Sequence, residues 1–172
     1  MKYRFLVPFL LICFLLQSTF FSALPIFGVT PDLVLAFLLI IPLYYEGNQA
    51  LVLAILFGLL RDVCFGVAVG PTALLYFALA GLVSLLRGQL YAEKFYTVPL
   101  VILPGTALFH VLYWAFLRVL GRPYAFLTMA SRLPGLLLLE LVWGVVIFFL
   151  VGRNPKRFAH DRDIFGKAKV RV

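Results

Sequence analysis

The sequence predicts an all-α integral membrane protein, built as a six-transmembrane-helix bundle, and three observations carry that expectation. First, 64% of the residues are hydrophobic and only 13% are charged, with a mean hydropathy of +1.07. A soluble domain carries about 25% charged residues. Second, at about 20 residues per crossing the 172-residue chain has room for six or seven spans and none for a separate soluble domain. Third, the 15 Lys and Arg residues stand at the ends of apolar runs and in a C-terminal tail. They form no folded basic patch, so nucleic acid is excluded as a partner.

Taken in order, span one covers about 5–22. Lys2 and Arg4 precede it as they would a signal peptide, but the apolar run is longer than a signal core and no clean A-x-A site follows. A first transmembrane helix is therefore expected. Gln17, Ser18 and Thr19 interrupt its far end, either at the interface or bonded to a neighbouring helix. Pro25 to Pro31 is a turn, and Thr30-Pro31-Asp32 opens span two, about 33–45. Proline suits the first turn of a helix and an acidic group there complements the helix dipole. Tyr44, Tyr45 and Glu46 close the span at an interface.

Span three runs from about 49 to 66 and span four from about 71 to 86, ending at Arg87; residues 87–95, with Glu93 and Lys94, form a short polar loop. Span five, about 96–117, contains His110, and Pro104-Gly105 is expected to kink or break it. Arg118 to Arg132 reads as the longest external connection, part of it lying flat at the interface. Span six covers about 133–151 and contains Glu140. The transmembrane domain is thus 1–152, followed by a basic tail, 153–172, attracted to anionic lipids. Cys13 and Cys64 both fall within spans, and no disulfide is expected.

The basic residues set the orientation. Six spans put both termini and the 44–49 and 87–95 turns on one side, which holds eleven Lys and Arg residues against Arg118, Arg122 and Arg132 on the other. Both termini are therefore predicted to be cytoplasmic. Asp32, Asp62, His110 and Glu140 then fall in the outer half of the membrane. An ionisable group at membrane depth costs at least about 2.5–3.5 kcal/mol, so each marks function or a buried pairing. Two arrangements fit: an outward-facing polar pocket built from these four residues, or individually satisfied groups with Arg61 snorkelling outward.

The densest pattern is Gly58-Leu-Leu-Arg61-Asp62-Val-Cys-Phe-Gly66-Val-Ala-Val-Gly70-Pro71, followed by an apolar helix that contains Gly81. Gly58 and Gly66, one turn either side of Asp62, would bare a groove for close backbone approach. Asp62 is expected to bond a neighbouring backbone or side chain and fix the 58–81 hairpin. Gly66 to Gly70 has GxxxG spacing, but its place before Pro71 favours a turn. No phosphate loop, HExxH, clustered Cys/His ligands or nucleophile elbow occurs. Hence no catalytic residue, metal or cofactor is predicted.

This 58–70 pattern resembles the MreD family motif of G-x-x-x-D followed by spaced glycines and an apolar helix. Leu16-Gln17, Pro31-Asp32-Leu33, the short basic N-terminus and Arg122-Pro123 also fit that family. Arg61 departs from it, since an apolar residue usually precedes the aspartate. The resemblance implies a multi-pass protein of the bacterial inner (plasma) membrane, acting in cell shape and peripheral peptidoglycan synthesis. It implies direct binding to MreC, and a larger elongation assembly with MreB, RodA and a class B penicillin-binding transpeptidase. It further implies a fold similar to the S components of energy-coupling factor transporters.

Three functions compete on these residues. The first is a non-enzymatic scaffold that receives the transmembrane and near-membrane segments of MreC, with Gly58, Asp62, Gly66, Gly70 and Gly81 as structural or interface positions. The second is an outward-facing small-molecule or lipid-binding component, like a vitamin-transporter S component, using Asp32, Asp62, His110 and Glu140. The third, a lipid-modifying enzyme, lacks any catalytic constellation of recognisable spacing.

Overall fold

The computed structural model describes residues 6–21, 29–44, 49–66, 68–90, 95–121 and 125–152. Within these the chain is helical, with six α-helices: α1 (Leu6–Leu16), α2 (Leu33–Tyr44), α3 (Gln49–Phe65), α4 (Pro71–Leu86), α5 (Thr97–Val119) and α6 (Phe126–Gly152). A wider π-helical turn, Gln17–Phe21, prolongs α1, and a 3-10 turn, Arg87–Gln89, prolongs α4. The widening has a local cause. Ser18 and Thr19 both donate their hydroxyls back to the Leu15 carbonyl, competing with the helix's own amide donors.

The helix at the centre is the shortest α-helix but one. α2 is buried at every position from Leu33 to Leu43 and packs against α1, α3, α4, α5 and α6. The surrounding helices carry apolar side chains on both faces. Leu53, Ala54 and Phe57 of α3 face inward, while Val52, Leu56 and Val63 are exposed. The same holds for Leu74 and Leu85 on α4 and for Leu127, Leu138 and Phe149 on α6. An exterior this apolar fits a hydrocarbon surround rather than water. α5 and α6, over Thr97–Val119 and Phe126–Leu150, are long and apolar enough to cross a bilayer; Leu6–Phe21, Leu33–Tyr44 and Pro71–Leu86 are shorter apolar helices.

Cross-helix contacts sort the bundle into two ends. At one, Gln17 of the π-turn reaches α2's start, Phe21 meets Trp143, and Arg61 meets Asp32. At the other, Tyr44, Phe95, Phe148 and Phe149 form an aromatic cluster. The α3–α4 and α5–α6 pairs are antiparallel hairpins.

One helical boundary and one expected interruption differ from expectation. α6 starts at Phe126 rather than near 133, because the Ala125 carbonyl already accepts the Thr128 and Met129 amides at 3.1 and 3.3 Å. Arg132 and Pro134 therefore lie inside the helix. α5 runs unbroken through Pro104-Gly105; proline is tolerated where neighbouring helices cover the freed carbonyl. Residues 25–28 of the expected 25–31 turn, the Tyr45–Glu46 end of span two and the 153–172 tail lie outside the described residues.

Candidate functional site

Asp62 lies in the last turn of α3 and faces the start of α4. The first amides of any helix have no intrahelical acceptor, and here each is accounted for. Pro71 has none to donate. Thr72 and Ala73 donate to Asp62 Oδ2 at 3.0 and 3.3 Å, and Leu74 donates to the Gly70 carbonyl at 2.9 Å. The Gly70 amide reaches the same Oδ2 at 2.9 Å. Gly70 occupies the N-cap position with φ +117°, where it has no side chain to cap with. Asp62 supplies that function from the neighbouring helix, and its charge also opposes the positive end of the α4 dipole. Its second oxygen, Oδ1, is buried and meets no partner among the described residues.

Gly58, one turn before Asp62, permits the approach. A Cβ at Gly58 would stand 2.8 Å from the Ala73 backbone nitrogen and nearer still to its Cα. The bare Gly58 surface therefore faces α4 within this chain. Gly66 has a different reason to lack a side chain, since a Cβ there would meet the Asp62 carbonyl at 2.5 Å as the chain leaves α3. Gly81 is looser, with only Leu51 Cδ2 at 3.6 Å.

A second polar cluster joins four helices at the same end. Asp32 caps α2, its Oδ1 accepting the Leu35 amide at 3.1 Å, while Oδ2 accepts the Tyr76 hydroxyl at 2.6 Å and ion-pairs with Arg61. Arg61 Nη1 also donates to the Tyr76 hydroxyl oxygen. The Arg61 guanidinium carbon lies 5.7 Å from the Tyr76 ring centroid and 5.4 Å from that of Phe109, within cation–π range. Arg61 thus turns inward, and the snorkelling expectation is corrected. A buried ion pair is tolerable only when further hydrogen bonds complete it, and Tyr76 and the Leu35 amide do so here.

Glu140, fully buried in α6, accepts the Asp32 amide through Oε1; its Oε2 has no partner among the described residues. The Val34 amide reaches Gln17 Oε1 at 3.4 Å. The start of α2 is therefore held by side chains from α6 and the end of α1 as well as by its own Asp32.

His110 sits on α5, with Nδ1 2.9 Å from the Thr106 carbonyl and its ring edge-on to Phe109. It lines a cavity of about 460 Å³ that Asp32, Arg61, Trp114 and Arg132 also line. Of the four residues proposed for an outward pocket, Asp32 and His110 reach this cavity. Glu140 connects to it through the Asp32 amide, and Asp62 faces α4 instead. The His110 bond goes to Thr106 and the Glu140 bond to Asp32, so these two form no acid–base pair among the described residues.

Sequence reasoning did not single out Tyr76 or Arg132. The signal for Tyr76 was present, a hydroxyl four residues after Thr72 on the buried face of an otherwise apolar helix. Arg132 was hidden by the assignment of its segment to a loop.

The family model described as rod shape-determining protein MreD matches residues 1–153, a stretch that includes all six helices, the α3–α4 hairpin and the cavity. Comparison with curated proteins and with solved structures returns no match in either. The chain therefore belongs to the MreD family of rod shape-determining proteins, which are membrane proteins.

Proposed function

We propose that the protein is a non-enzymatic membrane scaffold of the bacterial elongation machinery, binding the transmembrane and near-membrane segments of MreC. All six helices cross the inner membrane, both termini are cytoplasmic, and the polar end of the bundle faces outward. MreB, RodA and a class B penicillin-binding transpeptidase join the larger assembly, and the basic tail lies on anionic lipid. One observation carries this reading. Asp32, Arg61, Asp62 and Glu140 at the polar end are engaged in fastening helix to helix, as Asp62 does for α4 and Asp32 for α2, α3 and α4. That arrangement makes a preorganised body with an apolar exterior for a partner helix, and Asp62 acts through the shape of the hairpin. Affinity purification of Asp62→Leu tests it: loss of MreC, or of the folded protein, is expected. Retention of both would overturn the role given to Asp62.

A second reading, an outward-facing ligand-binding component resembling a transporter S component, is favoured by the cavity of about 460 Å³. The two are compatible within one molecule.

A further inference from the structure

We propose that the cavity formed by the segment leading into α2, Arg61 of α3, α5 and α6 binds an anionic amphiphile, its charged head held by Arg61 and Arg132 and its apolar part lying along α5. The proposal rests on the ligand-binding reading above and not on the scaffold. A volume of about 460 Å³ lies in the range of small-molecule sites, roughly 300–1,000 Å³.

The sign of the ligand's charge follows from which lining groups are already satisfied. The cavity is lined by one carboxylate, Asp32, and two guanidinium groups, Arg61 and Arg132. Three of the roughly four acceptor positions of Asp32 are taken: Oδ1 accepts the Leu35 amide, and Oδ2 accepts both Tyr76 and Arg61. It has little left to offer a cation. Arg61 makes its bonds through Nη1, leaving the Nη2 and Nε donors without a partner among the described residues. Arg132 has no acidic partner among the described residues. Guanidinium groups match phosphate and carboxylate oxygens with paired donors. His110 adds a directional group. A carbonyl only accepts, so its Nδ1 carries the hydrogen toward Thr106, and Nε2 remains to accept from a ligand hydroxyl.

The other wall decides that the ligand is not a free anion. Tyr113 stacks on Phe109 with centroids 5.8 Å apart and planes 12° apart, and Trp114, Leu117 and Leu136 continue an apolar surface. A bare anion would leave this wall wetted, and a neutral apolar molecule would leave Arg132 without a counter-charge and the remaining Arg61 donors unused. Trp114 under the Arg118 guanidinium, 5.2 Å away, is the pairing of aromatic and cation found at membrane interfaces, where charged heads of amphiphiles reside.

The test uses the full chain in an uncharged maltoside detergent, with Trp143→Phe leaving Trp114 as the sole tryptophan of the two in the sequence. Dihexanoyl phosphatidate is titrated against Trp114 emission, beside dihexanoylglycerol and inorganic phosphate. Saturable binding of phosphatidate is expected, weakened about tenfold or more by Arg132→Gln, as for loss of a charge-assisted hydrogen bond. Arg132→Lys, keeping the charge, should recover part of it. Identical titrations in wild type and Arg132→Gln would overturn the proposal. Equal binding of dihexanoylglycerol would remove the charge requirement, and equal binding of inorganic phosphate would remove the amphiphile. No response to any of the three would overturn the ligand-binding reading as well.

Discussion

Asp62→Asn and Asp62→Leu separate what this carboxylate does as an acceptor from what it does as a charge. Leucine removes the acceptor from the Thr72 and Ala73 amides, both on buried residues, and from the half-buried Gly70 amide. Each buried amide left unmet costs about 1–3 kcal/mol, so two cost roughly 2–6 kcal/mol. Losing the negative charge at the start of α4 adds about 0.3–1 kcal/mol. Asparagine can place its amide oxygen where Oδ2 stands and retain the bonds, so only the charge contribution and part of the bond strength go, about 1 kcal/mol. The assay is reversible unfolding of the full chain in mixed micelles, followed by circular dichroism. Asp62→Leu should lose about 3 kcal/mol or more, and Asp62→Asn about 1 kcal/mol. If Asp62→Leu stays within about 0.5 kcal/mol of wild type, the capping argument is wrong. If the two variants are equally damaged, charge rather than hydrogen-bond acceptance is what holds the hairpin.

Three further outcomes follow from the same geometry. Gly58→Ala should destabilise by about 1–3 kcal/mol, because the new methyl meets the Ala73 backbone; Gly81→Ala, with only Leu51 at 3.6 Å, should be neutral or gain up to about 1 kcal/mol. Unfolding midpoints check this, lowered for Gly58→Ala and unchanged or raised for Gly81→Ala. Arg61→Met should cost about 2–3 kcal/mol, less than a fully buried pair because the Arg61 side chain keeps 27% exposure. The Arg61→Met, Asp32→Asn double variant should recover part of that loss in a double-mutant cycle, and an additive result would deny the pairing. Glu140→Gln keeps an acceptor for the Asp32 amide and should be tolerated. Glu140→Leu orphans that amide and should cost about 1–3 kcal/mol in the same unfolding assay.

Helix limits marked by proline, glycine or charge were legible in the sequence: α2, α3 and α4 begin and end within a residue of the runs bounded by Asp32, Gln49, Gly66, Pro71 and Arg87. The start of α6 was not, because Arg132 and Pro134 look like a boundary, whereas the Ala125 carbonyl had already begun the helix. The central place of α2 was also illegible. When core and surround are both apolar, hydropathy carries no information about which helix is covered: α2 has no polar residue from Leu33 to Leu43, but neither has α1 from Leu6 to Leu16. The hairpin could be anticipated from Gly58 and Asp62, since both features needed to bring α4 close are local. The pairing of Asp32 with Arg61 and Tyr76 could not, because those groups lie on different helices and meet only once the bundle is assembled. The close packing of Gly105 and Gly144 was illegible for the same reason: Gly105 stood out only as part of a possible kink with Pro104, and the neighbours of the two glycines, Leu39 and Ile102, belong to other helices.

The most direct test of the scaffold is mild-detergent purification of the tagged chain from native membranes, with mass spectrometry of both proteins and small molecules. MreC recovered in near-equal amount, and lost with Asp62→Leu, is the expected result. Recovery of transporter ATPases or a vitamin without MreC would contradict the scaffold and leave the cavity as the working site of the molecule.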